Sequence, residues 1–165
     1  MMDKVTGIQE VRNGYLITVN GAETFHLSAA EYRSYPLGLD EAFDFEAYKH
    51  NLLISQYPEA LNRTVALLAS RARSRHEVEQ KLTDKGYLAD TVEMVIYKLE
   101  KEGFLNDAAF ATAWVEARSA RGLGKARLLQ ELRQKGVDSD NIHAALDSLD
   151  EETQDAPTVQ FAAKI

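Results

Sequence analysis

Residues 80–87 read QKLTDKGY, and residues 130–137 read QELRQKGV. Gln, Leu, Lys and Gly stand at the same offsets in the two stretches. A lysine followed by glycine is typical of a helix end, because glycine adopts the left-handed conformation of the terminating residue without the steric cost of a Cβ. We therefore predict that Gly86 and Gly136 each end a helix. Self-similarity at a fixed spacing, here 50 residues, indicates a repeat architecture.

The similarity extends on both sides of these stretches. It predicts two three-helix repeats, the first over residues 58–104 and the second over residues 105–150. Ser74-Arg-His-Glu77 forms a capping box, which predicts the start of the second helix of the first repeat. The six predicted helices cover residues 58–72, 74–86, 90–102, 107–120, 125–135 and 140–149.

The chain before residue 58 is predicted to begin with strands. Alternating apolar residues and Asn-Gly turn signals indicate a small antiparallel β meander. Its predicted strands are Lys4–Val11, Tyr15–Val19 and Ala22–Leu27. A capping box at Ser28 predicts a short helix, and residues 1–57 are taken as one N-terminal domain of this meander plus helices. The expected fold class is therefore mainly α, with tandem three-helix repeats and a small N-terminal meander.

Two helices are predicted to meet near Pro58. The first covers Glu41–Ser55, and Pro58 suits the first turn of the next helix, where its missing N–H group has no intrahelical partner to lose. In that next helix, helical spacing predicts that Leu61, Val65 and Leu68 form the buried face.

The end of the chain is predicted to lie inside a further repeat. At a spacing of 50 residues, Ile165 corresponds to Val115, which is in the middle of a first helix. Residues 151–165 are therefore interpreted as the start of an incomplete third repeat. We expect the natural protein to be longer than this chain.

Composition restricts the class of protein. The 165 residues are 45% apolar and carry a formal net charge of −7, which argues against a general nucleic-acid coat. No apolar run is long enough to predict a membrane span, and the N-terminus lacks the apolar core of a signal peptide. The chain has no cysteine, which excludes disulfides and fits a cytoplasmic protein.

A catalytic or metal site is not predicted. The four histidines are far apart in sequence, and HEVE at residues 76–79 is followed by Gln80, so the zinc-protease pattern HExxH is absent. GLG at residues 122–124 lacks the third glycine and the preceding strand of a dinucleotide site, which favours a tight interhelical turn. We therefore expect no enzyme activity, no cofactor, no metal and no small-molecule substrate.

The aromatic residues of the repeats are interpreted as core. Phe110 and Trp114 are four residues apart and lie on one helix face, where core packing between the repeats is favoured over base stacking. Phe104 follows Gly103 at the junction of the repeats and is predicted to plug it.

Basic residues concentrate at two equivalent positions. The first cationic corner contains Arg71, Arg73 and Arg75. The second cationic corner contains Arg118, Arg121, Lys125 and Arg127, with no acidic residue from 118 to 127. One interpretation is a solvated surface. The other is a pair of partner-binding corners one repeat apart, which would suit a periodic polyanion or an acidic protein groove.

The residues of this region resemble those of the RecX regulatory proteins, the bacterial modulators of the RecA recombinase. The resemblance covers about residues 58–149 and is densest over residues 70–118. It includes the following positions: Arg71, Arg73-Ser74, Glu77, Lys81-Leu82, Lys85-Gly86, Leu99, Gly103-Phe104-Leu105, Asp107, Phe110-Ala111, Arg118, Gly122, Glu131-Leu132 and Lys135-Gly136.

The resemblance implies a fold and a partner. It implies tandem three-helix repeats in an elongated, curved body that binds and inhibits the RecA–DNA filament, with a role in DNA recombination, DNA repair and the SOS response. The inhibitor would either block the filament groove or halt filament growth. Direct contact of the basic corners with DNA stays open. Two other functions also stay open, a helical DNA-binding module and a protein scaffold unrelated to RecA.

Overall fold

The structure is a computed structural model that describes residues 2–149. The chain divides into two compact units. Among the described residues, the first unit combines residues 2–67 with residues 79–98, and the second combines residues 68–78 with residues 99–149. The predicted division into repeats at residues 58–104 and 105–150 stays a prediction. The predicted third repeat, residues 151–165, lies outside the described residues.

The N-terminal sheet has the three predicted strands and one more. Strands β1 (Asp3–Val11), β2 (Gly14–Val19) and β3 (Glu23–Leu27) form the predicted antiparallel meander. A two-residue strand, β4 (Ala42–Phe43), pairs antiparallel with β1, so the strand order is β3-β2-β1-β4. A short helix, α1 (Ala29–Ser34), follows β3 in the chain, and Ser28 and Glu31 form its predicted capping box.

The prediction of a helix from Glu41 was wrong by four residues. Ala42 and Phe43 continue the sheet instead, and the helix begins only at Phe45. Two aspartates fix this start. The Ala47 N–H donates to Asp44 Oδ1 at 3.1 Å, and the Phe45 N–H donates to Asp3 Oδ2 at 3.1 Å. The second bond is a long-range contact from β1, and helical periodicity contains no signal for it.

The prediction of two helices meeting at Pro58 was also wrong. A single helix, α2 (Phe45–Ser70), is 26 residues long and contains Pro58 in its interior. Its buried residues recur at helical spacing on both sides of the proline: Phe45, Leu52, Gln56, Ala60 and Thr64. Because this buried face is continuous, packing outweighs the hydrogen bond that proline cannot donate.

The predicted apolar face of this segment was displaced by about one residue. Val65 is 50% exposed, whereas Thr64 is fully buried and donates its hydroxyl hydrogen bond to the Ala60 carbonyl at 2.8 Å. The packed face is therefore formed by Ala60 and by Thr64, whose hydroxyl is hydrogen-bonded within the same helix. Hydrophobicity alone selects the larger Val65.

We expect Pro58→Ala to raise the free energy of unfolding by about 2 kcal/mol. Proline inside a helix is about 3 kcal/mol less favourable than alanine. The gain from its replacement is smaller than this, because proline also lowers the conformational entropy of the unfolded chain and alanine does not. Pro58 is exposed, so the alanine makes no new contact. Chemical denaturation checks the prediction. A loss of stability would show instead that packing requires a proline-induced bend.

The remaining helices lie close to their predicted bounds. They are α3 (Arg75–Asp84), α4 (Ala89–Lys101), α5 (Asp107–Ser119), α6 (Lys125–Gln134) and α7, whose described part covers residues 139–149. The chain is thus mainly α-helical, as predicted. Within residues 2–149, no helix has both the length and the apolar character needed to cross a bilayer.

The two repeated helix ends have the predicted glycine geometry. Gly86 and Gly136 have φ angles of 90° and 75°, which are left-handed. After α3, the N–H groups of Gly86 and Tyr87 donate to the carbonyls of Thr83 and Leu82. After α6, those of Gly136 and Val137 donate to the carbonyls of Arg133 and Leu132. This is the Schellman arrangement, which satisfies carbonyls that a helix end leaves without partners.

Each unit has its own apolar core. The core of the first unit contains residues from the sheet, α2, the loop after α1 and the residue before α4. These residues are Val5, Ile17, Val19, Phe25, Leu27, Leu37, Phe43, Phe45, Leu52 and Leu88. The core of the second unit comes from α5, α6, α7 and the turn between α6 and α7. Its residues are Phe110, Ala111, Val115, Leu128, Leu132, Val137, Ile142, Ala145 and Leu146.

A polar side chain lies within the first unit. Gln56 is 2% exposed. Its Oε1 accepts hydrogen bonds from the Leu88 N–H at 3.0 Å and the Thr91 hydroxyl at 2.8 Å, and its Nε2 donates to Glu31 Oε2 at 2.9 Å. Gln56 therefore links α1, α2 and the start of α4.

Candidate partner-binding surface

The first cationic corner is anchored on a carboxylate. Arg71 contacts Glu77 with both terminal nitrogens, at 2.7 Å to Oε2 and 3.5 Å to Oε1. Glu77 also accepts the Ser74 N–H at 3.1 Å, which completes the predicted capping box, and Lys135 Nζ lies 3.4 Å from its Oε2. Glu77 is therefore the shared partner of two cations and a helix N-terminus.

The second cationic corner is anchored on Glu131. Arg118 binds this carboxylate in bidentate fashion, with Nε 3.2 Å from Oε1 and Nη2 2.8 Å from Oε2. Arg127 Nε lies 3.5 Å from Oε2, and the Trp114 indole N–H donates to Oε1 at 3.1 Å. The side chain of Glu131 is only 15% exposed, so these three donors surround most of it.

The two corners meet at Trp114. Lys135 Nζ lies 5.2 Å from the centre of the indole ring, and Arg118 Cζ lies 5.3 Å from it, within the range of cation–π attraction. Arg71 of the first corner and Arg118 and Arg127 of the second thus belong to one connected set in the second unit, which we call the Trp114 network. Its members in order of contact are Arg71, Glu77, Lys135, Trp114, Arg118, Glu131 and Arg127.

Helical spacing positions the centre of this network. Trp114 and Arg118 are four residues apart on α5, and Arg127 and Glu131 are four residues apart on α6. Residues at this spacing are neighbours on a helix surface. Phe110 stacks on Trp114 with ring centres 5.8 Å apart and is itself buried, which fixes the indole against the core. Phe110 and Trp114 are therefore packing residues of the second unit, and the prediction that they pack between the repeats stays a prediction.

The charges of the network perturb its titration. The hydrogen bond from Arg118 lowers the pKa of Glu131, and the same bond raises the pKa of Arg118. Burial raises the pKa of Glu77, but hydrogen bonds from Arg71 and the Ser74 N–H, with the charge of Lys135, outweigh it, and the net shift is downward. Both carboxylates are consequently ionised at neutral pH, and their ion pairs persist there.

The other predicted site residues have different surroundings. Arg73 donates to Ser70 Oγ at 3.3 Å, and its Nε is buried without a hydrogen-bond partner within residues 2–149. Arg75 Nη1 lies 3.4 Å from Glu100, and its backbone N–H donates to Asp107 at 2.8 Å. Arg121 and Lys125 are exposed on either side of the α5–α6 turn. The guanidinium of Arg121 makes no ion pair with any described residue.

Four members of the network were not predicted as site residues. Glu77 was identified only as a capping residue, Trp114 only as core, and Lys135 only as part of a helix end. For Glu131, the spacing of four from Arg127 was a local signal that could have indicated an ion pair. The prediction that Phe104 plugs the junction was wrong, because Phe104 is 65% exposed and the adjacent Leu105 is buried instead.

The rest of the described surface holds no metal-ligand cluster. Within residues 2–149 no group of three His, Cys, Asp or Glu side chains is arranged to hold a metal ion. The first unit has a polar cleft of about 710 Å³, with Lys81 and Lys85 on its wall. Its carboxylates already have partners, since Glu59 accepts from Arg63 and Tyr87, and Asp84 accepts from Gln80. Burial raises the pKa of Tyr87 to about 12, so this tyrosine stays protonated and donates.

The chain matches family models over both predicted repeats. A model described as the first three-helix domain of RecX matches residues 60–104, and one described as its second three-helix domain matches residues 106–146. The regulatory protein RecX of Mycobacteroides abscessus is 42% identical over 99 residues, which are 59% of this chain and 48% of that protein. The regulatory protein RecX of Amycolatopsis mediterranei is 39% identical over 110 residues, 66% of this chain and 63% of that protein. The chain thus spans about half to two thirds of these relatives.

Solved structures give the same result. A crystal structure of regulatory protein RecX superimposes with a TM-score of 0.54 over 89% of this chain and 74% of that chain, at 23% identity, which supports the fold. RecX from Lactobacillus salivarius gives a TM-score of 0.55 over 70% and 73%, at 27% identity. From the two matched domains and these relatives, we conclude that the chain belongs to the RecX family of regulatory proteins.

Proposed function

We propose that this protein is a non-enzymatic regulator that binds the RecA–DNA filament and inhibits RecA. Family membership supports a regulatory role, and the partner is the one that the sequence resemblance implies. On this proposal the protein inhibits RecA by binding alone and catalyses no reaction itself. The predicted repeats, residues 58–104 and 105–150, supply the contact surface and no catalytic groups.

The distribution of charge supports the second unit as the contact surface. Its described residues, 68–78 and 99–149, carry ten Lys and Arg against nine Asp and Glu. The first unit, residues 1–67 and 79–98, carries eight against thirteen. A filament wrapped on DNA presents phosphates, and cations that approach phosphates release counterions. The less acidic unit therefore approaches such a partner at a lower electrostatic cost.

Within that unit, the turn between α5 and α6 carries the proposal. The segment from Arg118 to Arg127 contains no acidic residue, and both Arg121 and Lys125 are exposed. Gly122 and Gly124 have open space where a Cβ would be, so the backbone of the turn is accessible as well. Arg71 is held by Glu77, and we assign it to the support of this surface. Arg118 is paired with Glu131 beside the turn.

The test reverses the exposed charges. We expect Arg121→Glu with Lys125→Glu to weaken inhibition of RecA-driven ATP hydrolysis about tenfold or more, because each lost phosphate contact removes a salt-dependent share of affinity. The measurement is the protein concentration that gives half-maximal inhibition. Raising the salt concentration should weaken inhibition by the parent more than inhibition by the variant.

A matched control changes the same charge elsewhere. Arg12→Glu with Arg33→Glu alters two exposed cations of the first unit and should leave inhibition near the parental value. Equal loss from both double variants would show that net charge alone matters. Full inhibition by a folded Arg121→Glu, Lys125→Glu protein would contradict the proposed surface. DNA binding by a parent that never inhibits RecA would favour the DNA-binding alternative.

A further inference from the structure

Glu131 accepts from a set of donors that suits a phosphate. Two guanidinium groups, Arg118 and Arg127, and one indole N–H converge on its carboxylate, with donor–acceptor distances from 2.8 to 3.5 Å. Paired N–H donors from arginine fit carboxylate and phosphate oxygens with the same geometry. The convergence therefore has the donor geometry of an anion-binding site, here called the receptor, and the Glu131 carboxylate occupies it.

The receptor is open on one side. The side chain of Arg127 is 65% exposed, whereas those of Arg118 and Glu131 are 28% and 15% exposed. The receptor also adjoins the exposed α5–α6 turn, because Arg118 lies at the end of α5 and Arg127 in the first turn of α6. An anion that reaches Arg121 and Lys125 thus arrives next to Arg127.

The backbone of Glu131 is held independently of its carboxylate. The next residue, Leu132, is fully buried in the core of the second unit, and the Lys135 N–H donates to the Glu131 carbonyl at 3.1 Å. The carboxylate, in contrast, is attached through flexible single bonds. It can leave the arginines for water by side-chain rotation, without unfolding α6.

We propose that Glu131 is an internal competitor at a phosphate-binding site, and that a nucleic-acid phosphate displaces its carboxylate from Arg118 and Arg127. The inference rests on the proposed function only in taking the second unit as the side that meets the filament. In the free protein, Glu131 neutralises part of the second cationic corner and weakens nonspecific binding. In the complex, phosphate takes over the arginines, and the Trp114 indole loses its carboxylate acceptor.

The test measures binding of oligothymidylate in the absence of RecA. We expect Glu131→Gln to bind this single strand about fivefold more tightly than the parent, which corresponds to about one additional phosphate contact at moderate salt. Trp114 is the single tryptophan of the chain, so its fluorescence reports directly on the site. We expect its emission to change when the parent binds oligothymidylate.

Glu116→Gln is the matched control. Glu116 is an exposed residue of α5 that forms no ion pair with the arginines of the second corner, and its replacement removes the same charge from the same unit. We expect this variant to bind close to the parental affinity. An equal gain in affinity for oligothymidylate by the two variants would show that only net charge matters and would overturn the proposal. Weaker or unchanged binding by Glu131→Gln would also overturn it, because Glu131 would then only position the arginines.

A second variant keeps the proposal testable if Glu131→Gln does not fold. Glu131→Asp retains the charge but shortens the reach to Arg118, so it should also bind more tightly than the parent. Because no RecA is present, the outcome is separate from that of the proposed function. Tight binding of oligothymidylate without inhibition of RecA would remove the proposed function and leave this site intact.

Discussion

Gly136→Ala is expected to lower the free energy of unfolding by about 2–5 kcal/mol. Gly136 has a φ of 75°, and a non-glycine residue in this region costs about 1–2 kcal/mol. An added Cβ would also collide with the Cβ and Cγ of His76, the first atoms of a side chain whose helix cannot easily move. Overpacking of this kind typically costs about 1–3 kcal/mol more. Chemical denaturation followed by circular dichroism measures the loss.

Gly122→Ala separates the cost of the left-handed backbone from the cost of the collision with His76. Gly122 has a φ of 85°, but nothing lies within 4 Å of the position of its Cβ. Its replacement should therefore cost only the backbone term, about 1–2 kcal/mol. In addition, His76→Ala combined with Gly136→Ala removes the collision with Cγ but keeps the one with Cβ, so it should recover only a small part of the loss. Equal losses at Gly122 and Gly136 would show that the contact with His76 has no energetic role.

Gln56→Leu is expected to lower the free energy of unfolding by about 2–5 kcal/mol. The substitution keeps the volume of the side chain roughly constant but removes the acceptor of two buried donors, the Leu88 N–H and the Thr91 hydroxyl. Each buried donor left without a partner costs about 1–3 kcal/mol. Thr91 is fully buried, so water cannot replace the lost acceptor without local opening. The denaturation midpoint checks this prediction.

Two further variants identify the cause of that loss. Gln80→Leu removes an exposed glutamine that only bridges to Asp84 at 3.0 Å, and we expect it to change stability very little. Thr91→Val, introduced into the Gln56→Leu protein, removes one of the unpaired donors and should restore part of the stability. If Gln56→Leu is as stable as the parent, the buried hydrogen bonds of Gln56 contribute no more than the cost of removing its polar groups from water.

The sequence by itself determined where most helices begin and end. Ser74 with Glu77 starts α3, and Gly86 and Gly136 end α3 and α6, because these signals act between residues a few positions apart. The spacing of 50 residues then identified equivalent helix ends without any knowledge of contacts. The same locality explains why the antiparallel meander was predicted, since each hairpin is encoded by its own turn.

Tertiary structure decided the features that depend on distant partners. It buried Gln56 and Thr64 on one face of α2 and thereby carried that helix through Pro58, against the local preference of proline. It exposed Phe104, although a large apolar residue at a repeat junction suggests burial.

Tertiary structure also decided the candidate site. The sequence identified two separate groups of cations but could not show that Glu77 and Glu131 accept from them, or that Trp114 joins them. Arg71 and Lys135 are 64 residues apart in the chain, and no local periodicity relates them. The charges were visible in the sequence, but their pairing depends on how residues 71–77, α5 and α6 pack in the second unit. Electrostatic attraction acts through space, whereas sequence patterns report only on neighbours along the chain.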